Sequence, residues 1–136
     1  MSFLFDASSI FEALIGENVG ILSDNYTLEI ARYELGNILW RSRALTKDIN
    51  DEECIRLANL IKNVLKLLNV INIGCREVEI LKIAEELKIT FYDSSYVFIA
   101  RERGIPLITE DEQLRRKAEG YIKVMNVEEL MKSRGF

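Results

Sequence analysis

Short apolar runs that stop at an acid or a turn, separated by stretches of helical periodicity, constrain this chain more than any other feature. Residues 3–5 read Phe-Leu-Phe and run straight into Asp6. Residues 105–108 read Ile-Pro-Leu-Ile, and residues 122–125 read Ile-Lys-Val-Met. Runs this brief suit strands buried on both faces. Between them the apolar residues recur at helical spacing. Ser9-Ile10-Phe11-Glu12 fits a capping box, so a helix is expected from there to Gly16. A short strand is expected near residues 19–22, and Ser23-Asp24-Asn25 reads as a turn.

Thr27 is placed to cap a helix to about Arg43, with Leu28, Ala31, Leu35, Ile38 and Leu39 inward. Asn50-Asp51-Glu52-Glu53 opens another, striped by Ile55, Ala58, Ile61, Leu65 and Leu68. Leu57, Leu60, Val64 and Leu67 widen that stripe, so a second face is expected to meet a partner chain. Residues 70–73 read as extended, and residues 76–88 as a helix with Val78, Leu81, Ile83, Ala84 and Leu87 inward. A helix from Asp93 through Arg103 should stop at Gly104. Thr109-Glu110-Asp111-Glu112 is a second capping box opening a helix to Gly120, and residues 127–132 form a closing helix. Strand–helix alternation with a helical insert predicts an α/β fold with a central parallel sheet and helices on both faces.

Composition narrows the function classes. At 136 residues, 49% hydrophobic and 29% charged, the chain is expected to form one globular domain over residues 1–136. The net charge of −4 argues against a module that holds nucleic acid by bulk positive charge. There is no histidine, which removes the usual Ser-His-Asp and Cys-His machinery. Cys54 and Cys75 form no Cys-x-x-Cys pair, so a zinc site is not expected; they read as two buried, reduced thiols, with a disulfide between them as the alternative. No apolar run approaches a membrane span and no leader pattern opens the chain, which places the expected location in the cytoplasm.

In an open parallel sheet, ligands bind beyond the carboxyl ends of the strands. Asp6 and Asp111 both follow predicted strands there. Ser8 or Ser9 is better placed than Asp6 to cap the first helix, which leaves Asp6 spare. Asp111 also suits the first turn of its helix, and Asp93 equally suits an N-cap. Glu34 lies mid-helix at the flank of an apolar stripe, between Ile30 and Ile38. A carboxylate there needs a salt bridge, such as one to Arg41, or a metal ion. Carboxylates gathered together repel unless a cation lies among them, and magnesium asks for few protein oxygens because it keeps several waters. Two such ions about 4 Å apart can activate water and stabilise a leaving oxygen in phosphodiester cleavage.

Four segments carry a resemblance: Phe5-Asp6-Ala7-Ser8-Ser9, Tyr33-Glu34-Leu35-Gly36-Asn37, the nine residues from Tyr92-Asp93-Ser94 to Ile99-Ala100, and Leu107-Ile108-Thr109-Glu110-Asp111-Glu112-Gln113-Leu114. In this order and spacing the chain resembles the PIN-domain ribonucleases, especially the small toxins of VapBC toxin–antitoxin pairs. The resemblance implies a three-layer α/β/α sandwich and an acidic quartet of Asp6, Glu34, Asp93 and Asp111. It implies Ser8 and Thr109 as hydroxyls that help order the site. It further implies RNA as substrate, Mg2+ or Mn2+ as cofactor, a cognate antitoxin protein as partner, and a homodimer.

Arg41, Arg43, Lys47, Arg101, Arg103, Arg115, Arg116 and Lys117 are candidates for phosphate contacts. The alternative is a PIN-like module that binds RNA or acts as a scaffold without cutting. A receiver domain lacks its middle aspartate and late lysine here. A Rossmann dehydrogenase lacks its Gly-x-Gly-x-x-Gly after the first strand.

Overall fold

Adjacent residues of the first strand point into different cores. In the computed structural model, which describes residues 1–135, β1 (Leu4–Phe5) sends Phe5 into one apolar cluster and Leu4 into the other. Its neighbour β4 (Leu107–Ile108) does the same, with Ile108 joining Phe5 and Leu107 joining Leu4. Side chains alternate across a strand, so a fully apolar strand requires a covered sheet on both sides. That requirement makes the fold three layers.

The sheet has five strands in the order β3-β2-β1-β4-β5, and every pairing is parallel. The others are β2 (Tyr26–Leu28), β3 (Asn69–Ile71) and β5 (Val124–Met125). One face is covered by α1 (Ala7–Ile15), α2 (Ile30–Trp40), α3 (Asp51–Leu65) and α7 (Val127–Ser133). The other is covered by α4 (Glu77–Leu87), α5 (Phe91–Arg103) and α6 (Glu112–Ala118). Among the described residues no helix is long and apolar enough to cross a membrane. Cys54 and Cys75 are free thiols, but not buried ones: Cys54 is half-buried and Cys75 exposed.

Several sequence expectations are corrected. Residues 19–22 form a turn of 3-10 helix, not a strand. Thr27 is not a cap: it lies inside β2, fully buried, and its hydroxyl donates to the Phe5 carbonyl at 2.7 Å. Leu28 likewise is a strand residue, and α2 begins only at Ile30. On α3 the inward residues are Leu57, Ile61, Val64 and Leu65, while Ile55 is 63% exposed and Ala58 faces solvent. On α4, Ile80, Ile83 and Ala84 face the core, while Val78 and Leu81 do not. Both helices carry apolar residues on two faces, so composition alone could not fix which face turns inward. The stop at Gly104 holds: φ is 64° there, and Ile105 N–H closes back onto the Ala100 carbonyl at 3.0 Å.

Candidate metal centre

Asp6 follows β1 directly and is the N-cap of α1. Its Oδ1 accepts from Ser9 N–H at 2.9 Å and from the Ser8 hydroxyl at 2.7 Å. The expectation that Ser8 or Ser9 caps this helix is therefore reversed: both serine positions donate to Asp6. The residue is only 6% exposed, and burial pushes its carboxyl above the usual range, although hydrogen bonds from Thr109, Ser8 and Ser9 oppose the shift.

Asp111 lies three residues beyond the end of β4. It is the N-cap of α6, with Oδ1 accepting from Gln113 N–H and Leu114 N–H, both at 3.0 Å. Asp93 is not a cap. Thr90 caps α5, accepting Asp93 N–H at 3.1 Å, and so sets Asp93 one turn into the helix. Burial raises the Asp93 carboxyl, and repulsion from Asp111 and Asp6 adds to it. Glu34 makes no salt bridge to Arg41; its partner is the buried phenol of Tyr96, which donates to Oε1 at 2.8 Å. Burial raises the Glu34 carboxyl and Asp6 and Asp93 push it further, while the Tyr96 hydrogen bond pulls it down.

Ser8 and Thr109 tie the two strand ends together. Ser8 Oγ accepts Glu110 N–H at 2.9 Å while donating to Asp6. Thr109 Oγ1 accepts Asp111 N–H at 3.1 Å and lies 3.3 Å from Ser8 Oγ. The loops carrying Asp6 and Asp111 are thus fixed by hydroxyls that themselves have little freedom, since Thr109 is 2% exposed.

All four acids, from four separate elements, line one cavity of about 630 Å3. Tyr33, Asn37, Arg41, Tyr92 and Tyr96 line it too, and sequence reasoning assigned none of the tyrosines a place. Tyr96 lies three positions after Asp93 on α5, so helical spacing alone sets the two on neighbouring faces. Among the described residues Arg41 is the only basic side chain lining this cavity. None of the other candidate cations lines this cavity, and most are engaged elsewhere. Arg43 pairs with Asp51, Arg115 grips Glu129, and Arg101 and Arg103 stack on Tyr121 and Tyr26. Lys117, which lines an adjoining hollow with Asp93 and Asp111, donates to the Lys88 carbonyl.

Whether these residues fit a divalent ion is decided by charge. Three carboxyls are raised by burial, Glu34 and Asp93 are pushed further by neighbouring aspartates, and one arginine faces four acids. Hard oxygen donors lacking a neutralising base suit a hard cation. Among the described residues no three such side chains gather tightly enough to enclose an ion alone. The cavity is therefore an open acidic bowl, in which waters complete any ligand shell.

The PIN domain model matches residues 3–120. The chain is 33% identical over 97 residues to Exonuclease VapC9 of Pyrobaculum aerophilum, covering 71% of this chain and 69% of that one. It is 30% identical over 129 residues to Ribonuclease VapC3 of the same organism, covering 86% of this chain and 95% of that one. Among solved structures, PAE2754 from Pyrobaculum aerophilum superimposes with a TM-score of 0.82 at 28% identity, covering 98% of this chain and 88% of that one.

Proposed function

The chain belongs to the PIN-domain family, and from that premise we propose that it is a divalent-metal-dependent endoribonuclease, the toxin of a toxin–antitoxin pair. One observation carries the reading: four carboxyls from α1, α2, α5 and α6 open onto one cavity at the carboxyl edge of a parallel sheet. The nuclease names of its relatives support the same class.

Asp6 and Asp111, each anchored by one carboxyl oxygen at a helix N-terminus, are the direct ligands for Mg2+ or Mn2+ in this proposal. Their caps fix the carboxyl planes and leave the second oxygens for the ion. Glu34 and Asp93 hold a second ion or ordered waters. A bound divalent ion supplies Lewis acidity, easing deprotonation of a water and offsetting charge on the phosphate. Ser8 and Thr109 hold the Asp6 and Asp111 loops in register, and Tyr96 holds Glu34. With no histidine in the chain, the acids need only bind and orient. Hydrolysis by water leaves a 5′-phosphate and a 3′-hydroxyl.

The apolar side chains left outside the core, Ile55 on α3 and Val78 and Leu81 on α4, support a homodimer and an antitoxin partner. Light scattering with and without the antitoxin reads both.

The test of the reaction is a circular RNA, which has no end to start from. With Mg2+ or Mn2+, wild type linearises it and EDTA abolishes the cut, whereas folded Asp6→Asn and Asp111→Asn do not cut. Cutting by both variants overturns the assignment. Binding without cutting across many RNAs favours the non-catalytic module. Cutting of linear RNA alone makes the enzyme an exonuclease.

A further inference from the structure

A second cavity adjoins the acidic one and is not used by the chemistry above. It occupies about 200 Å3 beyond the carboxyl ends of β2 and β3, the same sheet edge that presents Asp6. Leu28, Ile71 and Ile73 form its apolar floor, and Phe91 and Tyr92 at the start of α5 wall it. Ile30 and Tyr92 line both cavities, so the two lie side by side. Tyr92 is 58% exposed at this boundary. Asn72, exposed at the rim, offers an amide donor and an acceptor. The hollow is smaller than the roughly 300–1,000 Å3 of pockets that take whole small molecules, and suits one planar ring system.

Charge says what that ring belongs to. A chain of net charge −4, with one arginine facing its acidic cavity, gains little from the phosphate backbone. Affinity for RNA must come from elsewhere, and unstacked bases on aromatic side chains are the general source. We propose that this cavity seats the unstacked base of a nucleotide beside the scissile phosphate, with Tyr92 as its stacking face and Asn72 at its polar edge. The proposal rests on the ribonuclease reading. It favours an unpaired nucleotide beside the cut, because a paired base could enter only at the cost of unstacking and unpairing.

The test first maps the cut in a single-stranded oligoribonucleotide. Abasic nucleotides are then placed one at a time on either side of the cut. One abasic position next to the scissile bond is expected to lower kcat/KM of the wild type about tenfold. Tyr92→Ala should show that loss already with the intact RNA, and no further loss with the abasic one. Tyr92→Phe should keep the penalty. Equal abasic penalties in wild type and Tyr92→Ala, or none at any position, overturn the pocket and leave the nuclease standing.

A second readout does not need cleavage. An oligoribonucleotide with 2-aminopurine at the sensitive position, or at each position in turn if no cut occurs, is titrated with protein and calcium. Quenching by wild type and not by Tyr92→Ala supports the pocket, even if the nuclease reading fails. Absence of quenching at every position overturns it, as does protection of Phe91 and Tyr92 from hydrogen exchange by a protein partner but not by RNA.

Discussion

Tyr96 and Glu34 stand on helices that cover opposite faces of the sheet, yet they meet through a 2.8 Å hydrogen bond beyond its carboxyl edge. Tyr96 is 1% exposed and its phenol is held far from ionisation, chiefly by burial, so it acts only as a donor here. The bond fixes where the Glu34 carboxylate, proposed above to hold a second ion or ordered waters, points, and it favours the charged form. Tyr96→Phe keeps the ring and its packing but removes the donor. The expected result is a fold that loses about 1 kcal/mol and an activity about tenfold lower. The Mg2+ concentration for half activity should rise as well. A Mg2+ titration beside a melting curve checks it; an unchanged midpoint would show that Tyr96 only packs.

The buried acids also make the metal-free protein sensitive to pH. Asp6, Glu34 and Asp93 all sit above their ordinary range when folded. From about pH 4, where an unfolded carboxyl has released its proton, the native state still holds one. Native protons outnumber unfolded ones in that window, so these groups lose stability for the fold as pH rises through their native values. In EDTA at pH 8, Asp6→Asn should therefore melt about 3 °C or more above wild type. Asparagine preserves the cap, so this gain is not masked. The gap should close as pH falls toward about 4, the unfolded carboxyl range, and reverse when Mg2+ is added. A variant less stable than wild type at every pH, metal-free, would refute the cost assigned to the buried charge.

Strands β1, β4 and β5 were legible because each is a brief apolar run, and the helices because each carries a periodic stripe, whereas β2 was hidden behind a strand expected at residues 19–22 that is a turn of 3-10 helix. The other failures were finer. Thr27 looks like a cap in sequence, but its hydroxyl serves the Phe5 carbonyl from inside a strand. Ile55, Val78 and Leu81 lie outside because α3 and α4 have apolar residues to spare, and the inward face is chosen by tertiary packing. The four acids could be named from local motifs. The bond from Tyr96 to Glu34 could not, since the two are 62 positions apart and only the closed sheet brings them together. The hydroxyl clamp between Ser8 and Glu110 is hidden for the same reason, across 102 positions.

Arg41 should contribute to substrate binding and not to folding. It is exposed, lines the acidic cavity and lies in the wide π-type turn Arg41–Leu45 that continues α2. Arg41→Ala is expected to raise KM for RNA several-fold while leaving the melting temperature unchanged. If it touches one phosphate, the slope of log affinity against log salt should fall by about one. The wild-type slope itself should be shallow, given how few cations face the site. An unchanged slope in the variant would remove Arg41 from the RNA path.

Ser8 and Ser9 are neighbours in sequence with separable roles. Ser9 Oγ donates to the Ile108 carbonyl at 2.7 Å, tying α1 to β4. That carbonyl also accepts Asp6 N–H at 3.1 Å, so Ser9→Ala leaves it bonded and should cost about 1 kcal/mol with activity retained below the melting range. Ser8 Oγ instead spans the site, donating to the Asp6 carboxyl and accepting Glu110 N–H. Ser8→Ala removes one of the two hydrogen bonds to Asp6 Oδ1, leaves Glu110 N–H without its acceptor and loosens the loop that carries Asp111. Activity should therefore fall about tenfold or more for a stability loss similar to that of Ser9→Ala, and Ser8→Thr, which keeps the hydroxyl, should restore most of it. Melting curves and kcat/KM measured on the three variants decide the matter: parallel losses in Ser8→Ala and Ser9→Ala, with no rescue by threonine, would reduce both serines to structural ties.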